Sequence, residues 1–451
     1  MFKDSIFPAY ARLSRASRKA SRRNSDRGTL IITSTIICAA VGIDTGLTLV
    51  YQLFALLLCL IIVSRLSLRI QKPEVTLERH LPKYATAGQE FEYFIRVTNQ
   101  GDQIERELRL NDNPLVVQPG LEQFKAEREP GEESRNAYDR WIGFHRFMWL
   151  QRLNTGITVE QATVPDINLK ATVDTRITAT PLRRGIVHFT STTLLSPDPF
   201  GLNYSIRTFD RHEQLIVLPK RYPINKSFQL PGGRHFQPGG VNSTWSIGES
   251  DEFVSLREYR DGDSMRKIHW ASTARRNKPI VKEFQDEYFV RQALVLDTAS
   301  TDSLVFEESI SVAASLLLQM ENTEGLMDLI YLNDVPQIIT AGRGFSQTNH
   351  QLEALATIEL SNLKPSNIKE GNAPIQKLID VVSHQSKVMS GCLLVLQGWD
   401  EQRQELVRRL SAAGTPTIVF IVTRDEEALK ELPANATILV PGNISDQLAN
   451  L

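Results

Sequence analysis

Two apolar runs without a single charge, Thr29–Ile43 and Leu47–Val63, dominate the start of the chain, and Asp44-Thr45-Gly46 separates them as a tight turn. At ~1.5 Å per residue each run spans about 22–26 Å as a helix, slightly short of a ~30 Å hydrocarbon core. Interfacial snorkelling or local thinning closes such a gap. Lys3, Arg12, Arg15, Arg18, Lys19, Arg22, Arg23 and Arg27 precede the pair, and Arg65, Arg69 and Lys72 come after it. The pattern predicts a transmembrane hairpin over residues 29–63 behind a basic N-terminus, 1–28. Positive charge at both outer ends places both in the cytoplasm, giving a multi-pass protein of the cytoplasmic (inner) membrane. A cleaved signal peptide would show one apolar core and a small-x-small site, neither of which fits here. A lipoprotein site at Cys38 would need a small residue where Ile37 stands. A buried soluble helical hairpin is the remaining alternative.

The pattern then changes to period two. Glu90–Asn99 alternates apolar and polar residues and ends in the turn residues Asn99-Gln100-Gly101-Asp102, while Gly185–Leu195 and Gln214–Leu218 read as further strands. Short strands at this spacing predict a β-rich, sandwich-like domain over residues 74–220 with an insertion near 111–155. Within the insertion, Trp141–Leu153 interleaves aromatics with arginine. It is either an interfacial helix lying on a bilayer or an element whose aromatics fill the sandwich core, and the second reading is preferred. Residues 221–250, rich in Gly, Pro, Asn and Ser, read as a linker.

After residue 290 apolar strands alternate with helices: strands at Arg291–Thr298, Leu326–Leu332, Gln337–Ala341, Gly391–Leu396, Pro416–Val422 and Ala436–Val440, and helices at Leu304–Asn322, Asn349–Leu360, Pro374–His384 and Glu401–Ala413. This alternation predicts a parallel sheet covered on both faces, with its functional edge at the carboxyl ends of the strands. The fold class expected is therefore multi-domain: a membrane hairpin, a β-sandwich-like middle domain and a C-terminal α/β domain.

Length fits two or three domains. The composition, 41% hydrophobic and 23% charged, is that of a globular protein, and the net charge of −1 gives no global attraction to nucleic acid. Three cysteines, Cys38, Cys59 and Cys392, lie in apolar segments without paired spacing, which fits a reducing compartment.

Charge is instead concentrated in one block, Asp251–Gln285. Asp261-Gly262-Asp263 reads as a turn, and Asp263 or Ser264 as the N-cap of a helix reaching Arg276, where Asn277 and Pro279 stop it. Arg257, Arg260, Arg266, Arg275, Arg276 and Lys278 then surround Trp270. An arginine rim around an aromatic anchor suits protein recognition, with Arg257, Tyr259, Arg260, Asp263, Arg266, His269, Trp270 and Arg275 as the partner-binding residues. Nucleic acid is the competing reading, opposed by Glu258, Asp261, Asp263, Glu283, Asp286 and Glu287. An internal salt-bridge network is the third, and is compatible with the first.

The first strand of the α/β domain ends in Asp297-Thr298-Ala299-Ser300-Thr301. Asp297 and Thr301 form a degenerate version of a metal-ion-dependent adhesion site, in which hard oxygens hold Mg²⁺. Ala299 replaces the middle hydroxyl, and Gln397-Gly398 stands where Asp-Gly is expected. No cofactor is therefore expected. Phosphate-loop, His-Glu-x-x-His, Cys-x-x-Cys and Gly-x-Ser-x-Gly motifs are missing from the sequence, and the reading is of a protein that is not an enzyme.

Arg257-Glu258-Tyr259, Gly262-Asp263, Arg266, Ile268-His269-Trp270, Ser272 to Arg275 and Val281-Lys282-Glu283-Phe284 together resemble the signature of the domain-of-unknown-function 58 family. Arg183-Arg184-Gly185 and Asp198-Pro199-Phe200-Gly201-Leu202 are similar to its second hallmark. The resemblance implies a membrane-anchored bacterial protein whose C-terminal domain is von Willebrand A-like. It also implies a MoxR-type AAA+ ATPase as partner, and a transglutaminase-like membrane protein as a further one, with a role in assembling or remodelling client complexes. The expectation is a membrane-anchored adaptor that binds proteins and no nucleic acid. A nucleic-acid-binding protein using the arginines of 257–278 and a metal-dependent adhesion protein are the alternatives.

Overall fold

The computed structural model describes residues 2–41, 48–70, 73–225, 253–261, 263–284, 290–299, 302–320, 325–333, 335–340, 345–359, 374–386, 389–425 and 432–450. The turn Asp44–Gly46, most of the 221–250 linker, Gly262, Ser300 and Thr301 lie outside them. The chain forms two units, Met1–Lys220 with Leu355–Thr357, and Arg221–Ala354 with Ile358–Leu451.

The first unit opens with three helices, α1 (Phe2–Arg23), α2 (Asp26–Val41) and α3 (Thr48–Ile70). In α1 the inward positions Phe7, Tyr10, Ala11 and Ser14 recur at helical spacing, whereas Arg12, Arg15 and Arg23 face outward. α2 and α3 pack on each other but leave apolar side chains exposed around them, among them Leu30, Ile36, Leu56 and Ile62. α3 is long and apolar enough to cross a membrane. α2, at 16 residues, differs in its bounds from the run read from the sequence, starting at Asp26 and ending at Val41.

Nine strands come next: β1 (Val75–His80), β2 (Tyr84–Thr86), β3 (Phe91–Asn99), β4 (Arg109–Pro114), β5 (Ile157–Val159), β6 (Ala162–Thr163), β7 (Thr172–Pro181), β8 (Gly185–Pro197) and β9 (Tyr204–Leu218). They make a four-stranded sheet, β1-β3-β7-β5, and a five-stranded sheet, β2-β9-β8-β4-β6. Breaks in register within β4–β8 and β8–β9 bend the second sheet. Inward residues of both sheets, including Val75, Tyr93, Ile95, Leu110, Ile177, Phe189 and Leu215, form one core.

That core also holds charge. Arg79 of β1 donates to Asp112 of β4 through Nε (2.8 Å) and a terminal nitrogen (2.5 Å), and to the Thr192 hydroxyl of β8 (3.0 Å). Tyr93 donates its hydroxyl to the same carboxylate at 2.7 Å. The Arg79 and Asp112 side chains are almost wholly buried. Burial and the adjacent Asp112 carboxylate raise the Tyr93 pKa well above the usual phenol value.

Between β4 and β5 lie α4 (Leu121–Ala126), α5 (Ala137–Ile142) and α6 (Phe144–Thr155). This corrects the reading of Trp141–Leu153 as filler of the sandwich core. Phe147 and Leu150 of α6 instead close on Phe124 of α4 and Tyr10 of α1, a separate aromatic core. α6 comes after two short helices and begins anew at Gly143, whose positive φ of 73° ends α5. Its aromatics therefore face the N-terminal helix. Arg146 is buried there and paired with Glu132.

The root of the α2–α3 pair is tied to the turn Asp198–Asn203. Ser25 donates from its backbone N–H to the Leu202 carbonyl (3.0 Å) and from its hydroxyl to the Gly201 carbonyl (2.7 Å). Asn203 donates to the Ser64 hydroxyl of α3 at 2.6 Å. Asp198 holds the turn by accepting the Leu202 and Asn203 N–H groups at 2.6 and 3.1 Å. At Gly28 a Cβ would lie 2.0 Å from the Leu202 carbonyl oxygen, so only glycine permits this approach.

In the second unit a two-stranded antiparallel sheet, β10 (Phe253–Glu258) and β11 (Ile280–Phe284), encloses the short helix α7 (Trp270–Arg276) in sequence. The main sheet has order β14-β13-β12-β15-β16-β17, from β12 (Val290–Leu296), β13 (Gly325–Asn333), β14 (Val335–Thr340), β15 (Gly391–Leu396), β16 (Thr417–Val422) and β17 (Ala436–Leu439). The helices are α8 (Ser303–Met320), α9 (Phe345–Thr357, of which Phe345–Ala354 belongs to this unit), α10 (Pro374–Gln385), α11 (Glu401–Ala412) and α12 (Ile444–Ala449). The sheet is mostly parallel rather than wholly so: β14 runs antiparallel to β13, because the chain between them is too short for a crossover. α8 is as apolar as a membrane span, yet most of it is buried against the sheet. The first linker residues are fixed rather than loose, since the Tyr222 N–H donates to Ser315 of α8 at 2.8 Å and its hydroxyl bonds Glu308.

Candidate functional site

The charged block folds differently from one helix spanning 263–276. Met265–Lys267 is a single 3-10 turn, Ile268 is extended and forms a bridge to Val281 of β11, and α7 starts only at Trp270. The Ile268 bridge interrupts the helix, and His269 caps α7. Its Nδ1 lies 2.7 Å from the Ser272 hydroxyl and accepts the Ser272 N–H. The Thr273 hydroxyl donates to the His269 carbonyl (3.1 Å) and accepts the Ile280 N–H (3.0 Å). α7 ends at Asn277 with φ 54°.

Three of the residues expected to bind a partner thus serve the scaffold. Arg257 and Asp263 form a two-pronged pair, at 2.6 and 2.7 Å, and Asp263 also accepts the Arg260 N–H at 2.8 Å. His269 is the cap. Tyr259 is half-buried, its N–H held by the Pro279 carbonyl. Arg260, Arg266, Trp270 and Arg275 are exposed. Trp270 is 70% exposed, and Met265, outside the set expected to bind, is 73% exposed. Lys278 is paired with Glu258 at 3.2 Å. The block is therefore both an internal clamp and an outward face bearing an aromatic ring, a thioether and arginines.

The hydrogen bond from Arg257, joined by the Arg260 N–H, lowers the Asp263 pKa to about 2. An aspartate ordinarily titrates near ~3.9. Because the folded-state value is depressed, the clamp's contribution to stability is complete above the ordinary value and is lost as pH falls through about 2. A carboxyl-carbon NMR titration should place Asp263 near that value, and Arg257→Gln should return it toward ~3.9. An unmoved midpoint in the variant would show that Arg257 is not the cause.

At the carboxyl edge of the main sheet, Asp297 has a protein cation as its partner. Arg403, from the first turn of α11, places Nε and a terminal nitrogen 2.7 and 2.6 Å from Asp297 Oδ2. The Gln397 N–H reaches the same oxygen at 3.1 Å, and Oδ1 accepts the Ala299 N–H at 2.9 Å. Arg403 also donates to Asp400 (2.5 Å) and to the Ala299 carbonyl (3.0 Å). Burial lowers the Arg403 pKa, but the charges of Asp297 and Asp400 outweigh it and the net shift is upward. The guanidinium thus neutralises the carboxylate that was a candidate Mg²⁺ ligand. Thr301, the other candidate, lies outside the described residues. Among the described residues no group of three or more His, Cys, Asp or Glu is placed to hold a metal. Arg403 was legible as a charge on the buried stripe of α11, at helical spacing with Leu406, Val407 and Leu410.

The clamp, the main sheet and all but the first two residues of the two-stranded sheet fall within one family match. Residues 255–449 match the family model described as "Protein of unknown function DUF58". The chain carries a DUF58 domain. Outside family models, it is 29% identical over 175 residues to the uncharacterized protein YeaD of Bacillus subtilis (strain 168), covering 38% of this chain and 42% of that protein. The chain thus matches less than half the length of this curated relative. Among solved structures, an aerotolerance-related membrane protein from Bacteroides fragilis shares 14% identity over 36% of this chain and 87% of the other, at TM-score 0.21. The PapD-like domain 7 of human CEP192 shares 12% over 33% and 89%, at TM-score 0.17. Likeness at that level says nothing about activity. The DUF58 match includes both the clamp and the Asp297–Arg403 pair.

Proposed function

We propose that this protein is a non-enzymatic adaptor, held at the cytoplasmic membrane by α2 and α3, whose DUF58 domain binds a protein partner through the face of α7 and the preceding turn. The observation that carries the reading is the pairing of a rigid, internally hydrogen-bonded clamp with the exposed Trp270 and Met265. Large apolar side chains presented on a fixed scaffold and rimmed by arginine are the chemistry of an interface centre. The finer reading of the fold, a sandwich-like middle domain and a von Willebrand A-like C-terminal domain, belongs to the same proposal. So does the partner class implied by the family resemblance, a MoxR-type AAA+ ATPase.

The test is binding between the full chain in detergent and a purified MoxR-type ATPase. Trp270→Ala with Arg266→Ala should weaken the complex by roughly 30-fold or more, the effect of truncating an interface hot spot. The circular dichroism and melting of the variant should be those of the parent. Unaltered affinity would reject the surface, and a melted or aggregated variant would mean that these residues serve only the clamp.

A further inference from the structure

The root of the α2–α3 pair carries a second surface. Beyond Arg23 at the end of α1, the exposed side chains along α2 change from Arg27 to Leu30, and along α3 from Ile62 and Val63 to Arg65 and Arg69. Antiparallel packing sets Arg27 and Arg65 near one level, since Ser25 and Ser64 bind the same turn, at Leu202 and Asn203. Within the exposed root of the two helices, Asp26 is the sole acid among the described residues.

The Asp198–Asn203 turn is pinned at this level by its contacts with Ser25, Gly28 and Ser64. At its tip Phe200 is 46% exposed, and Ile206 of β9, just beyond, is 39% exposed. An aromatic ring is thus fixed where an apolar helical pair gives way to four arginines. Apolar side chains above, basic ones below and an aromatic between them reproduce the layering of a bilayer surface.

We propose that this collar binds the headgroups of anionic phospholipids, with Phe200 seated in the interfacial layer beside the hairpin. Arginine forms two-pronged hydrogen bonds with phosphate. An anionic membrane surface contributes about fivefold per nearby arginine, and salt screens the effect. The inference rests on α2 and α3 being inserted in a membrane, and the two claims fail differently.

The full chain is reconstituted into phosphatidylcholine vesicles containing phosphatidylglycerol, and spin-labelled forms of each lipid report the immobilised boundary fraction. Phosphatidylglycerol should be preferred several-fold over phosphatidylcholine, and salt should erode the preference. Arg23, Arg27, Arg65 and Arg69→Gln together should abolish it, while the matching Arg→Lys protein keeps it. A nitroxide at Phe200→Cys, with Cys38→Ser and Cys59→Ser, should report the headgroup depth. Equal association of both lipids, or a preference that survives the glutamine variant, overturns the collar while the insertion stands. No immobilised lipid of either kind overturns the insertion and the collar with it.

Discussion

Asp112→Ala is expected to cost the first unit about 3 kcal/mol, the low end for breaking a buried pair, because it removes the two-pronged acceptor of the buried Arg79 guanidinium and leaves only the more distant Glu213 carboxylate to offset its charge. Arg79 has its fork on Asp112 and Thr192, with Tyr93 on the same carboxylate. Removing the acceptor takes from the buried cation its two-pronged partner, leaving it the Arg211 carbonyl at 3.2 Å, the Thr192 hydroxyl and the Glu213 carboxylate at 3.6 Å, and it leaves the buried Tyr93 phenol without its acceptor. Hydrogen exchange should accelerate across β3, β4 and β8, with β12 and β15 of the other unit unchanged. The double variant Arg79→Met with Asp112→Leu should recover much of the loss, since replacing both charges by apolar groups of similar volume is often neutral. If Asp112→Ala alone left exchange unchanged, the network would not support the core.

The second large effect is at the sheet edge. Arg403→Ala leaves Asp297 buried, with two N–H donors and no cation. The expected cost is about 3–5 kcal/mol, now confined to the unit containing β12 and α11. Arg403→Lys should recover only part, because one ammonium cannot reach Asp297, Asp400 and the Ala299 carbonyl as the fork does. Mg²⁺ should not raise the melting temperature of the parent protein. A rise would mean that a cation competes for Asp297 after all.

How far the sequence revealed these features depended on how each buried group was compensated. β15 and β16 are continuous apolar runs, as is the second half of β12, Ala293–Leu296, and all three were legible to within two residues at each end. β4 was not, because its inward positions alternate Leu110 with Asp112, and an inward carboxylate looks like a loop until Arg79 and Tyr93 are brought to it. β1 and β7 carry outward charges that hide their apolar face. The candidate block was recognised as dense in chemistry, yet its division into clamp and exposed face depends on the Ile268–Val281 bridge, a contact across the hairpin that no local pattern encodes. The aromatics of α6 were identified as packing residues, but their partner is α1, far upstream in the chain.

α8 presents the cell with a problem of timing. The helix is apolar enough to be taken for a membrane span, yet two of the strands that cover it, β15 and β16, are made only after α9 and α10. On the membrane-anchored reading proposed above, α8 is a further apolar helix offered to the insertion machinery while the chain is still emerging from the ribosome. Part of the apolar face of α8 then stays uncovered until β15 and β16 arrive. On the same reading, a variant that slows closure of the sheet is expected to leave more of α8 protected from protease in membrane vesicles than the parent does.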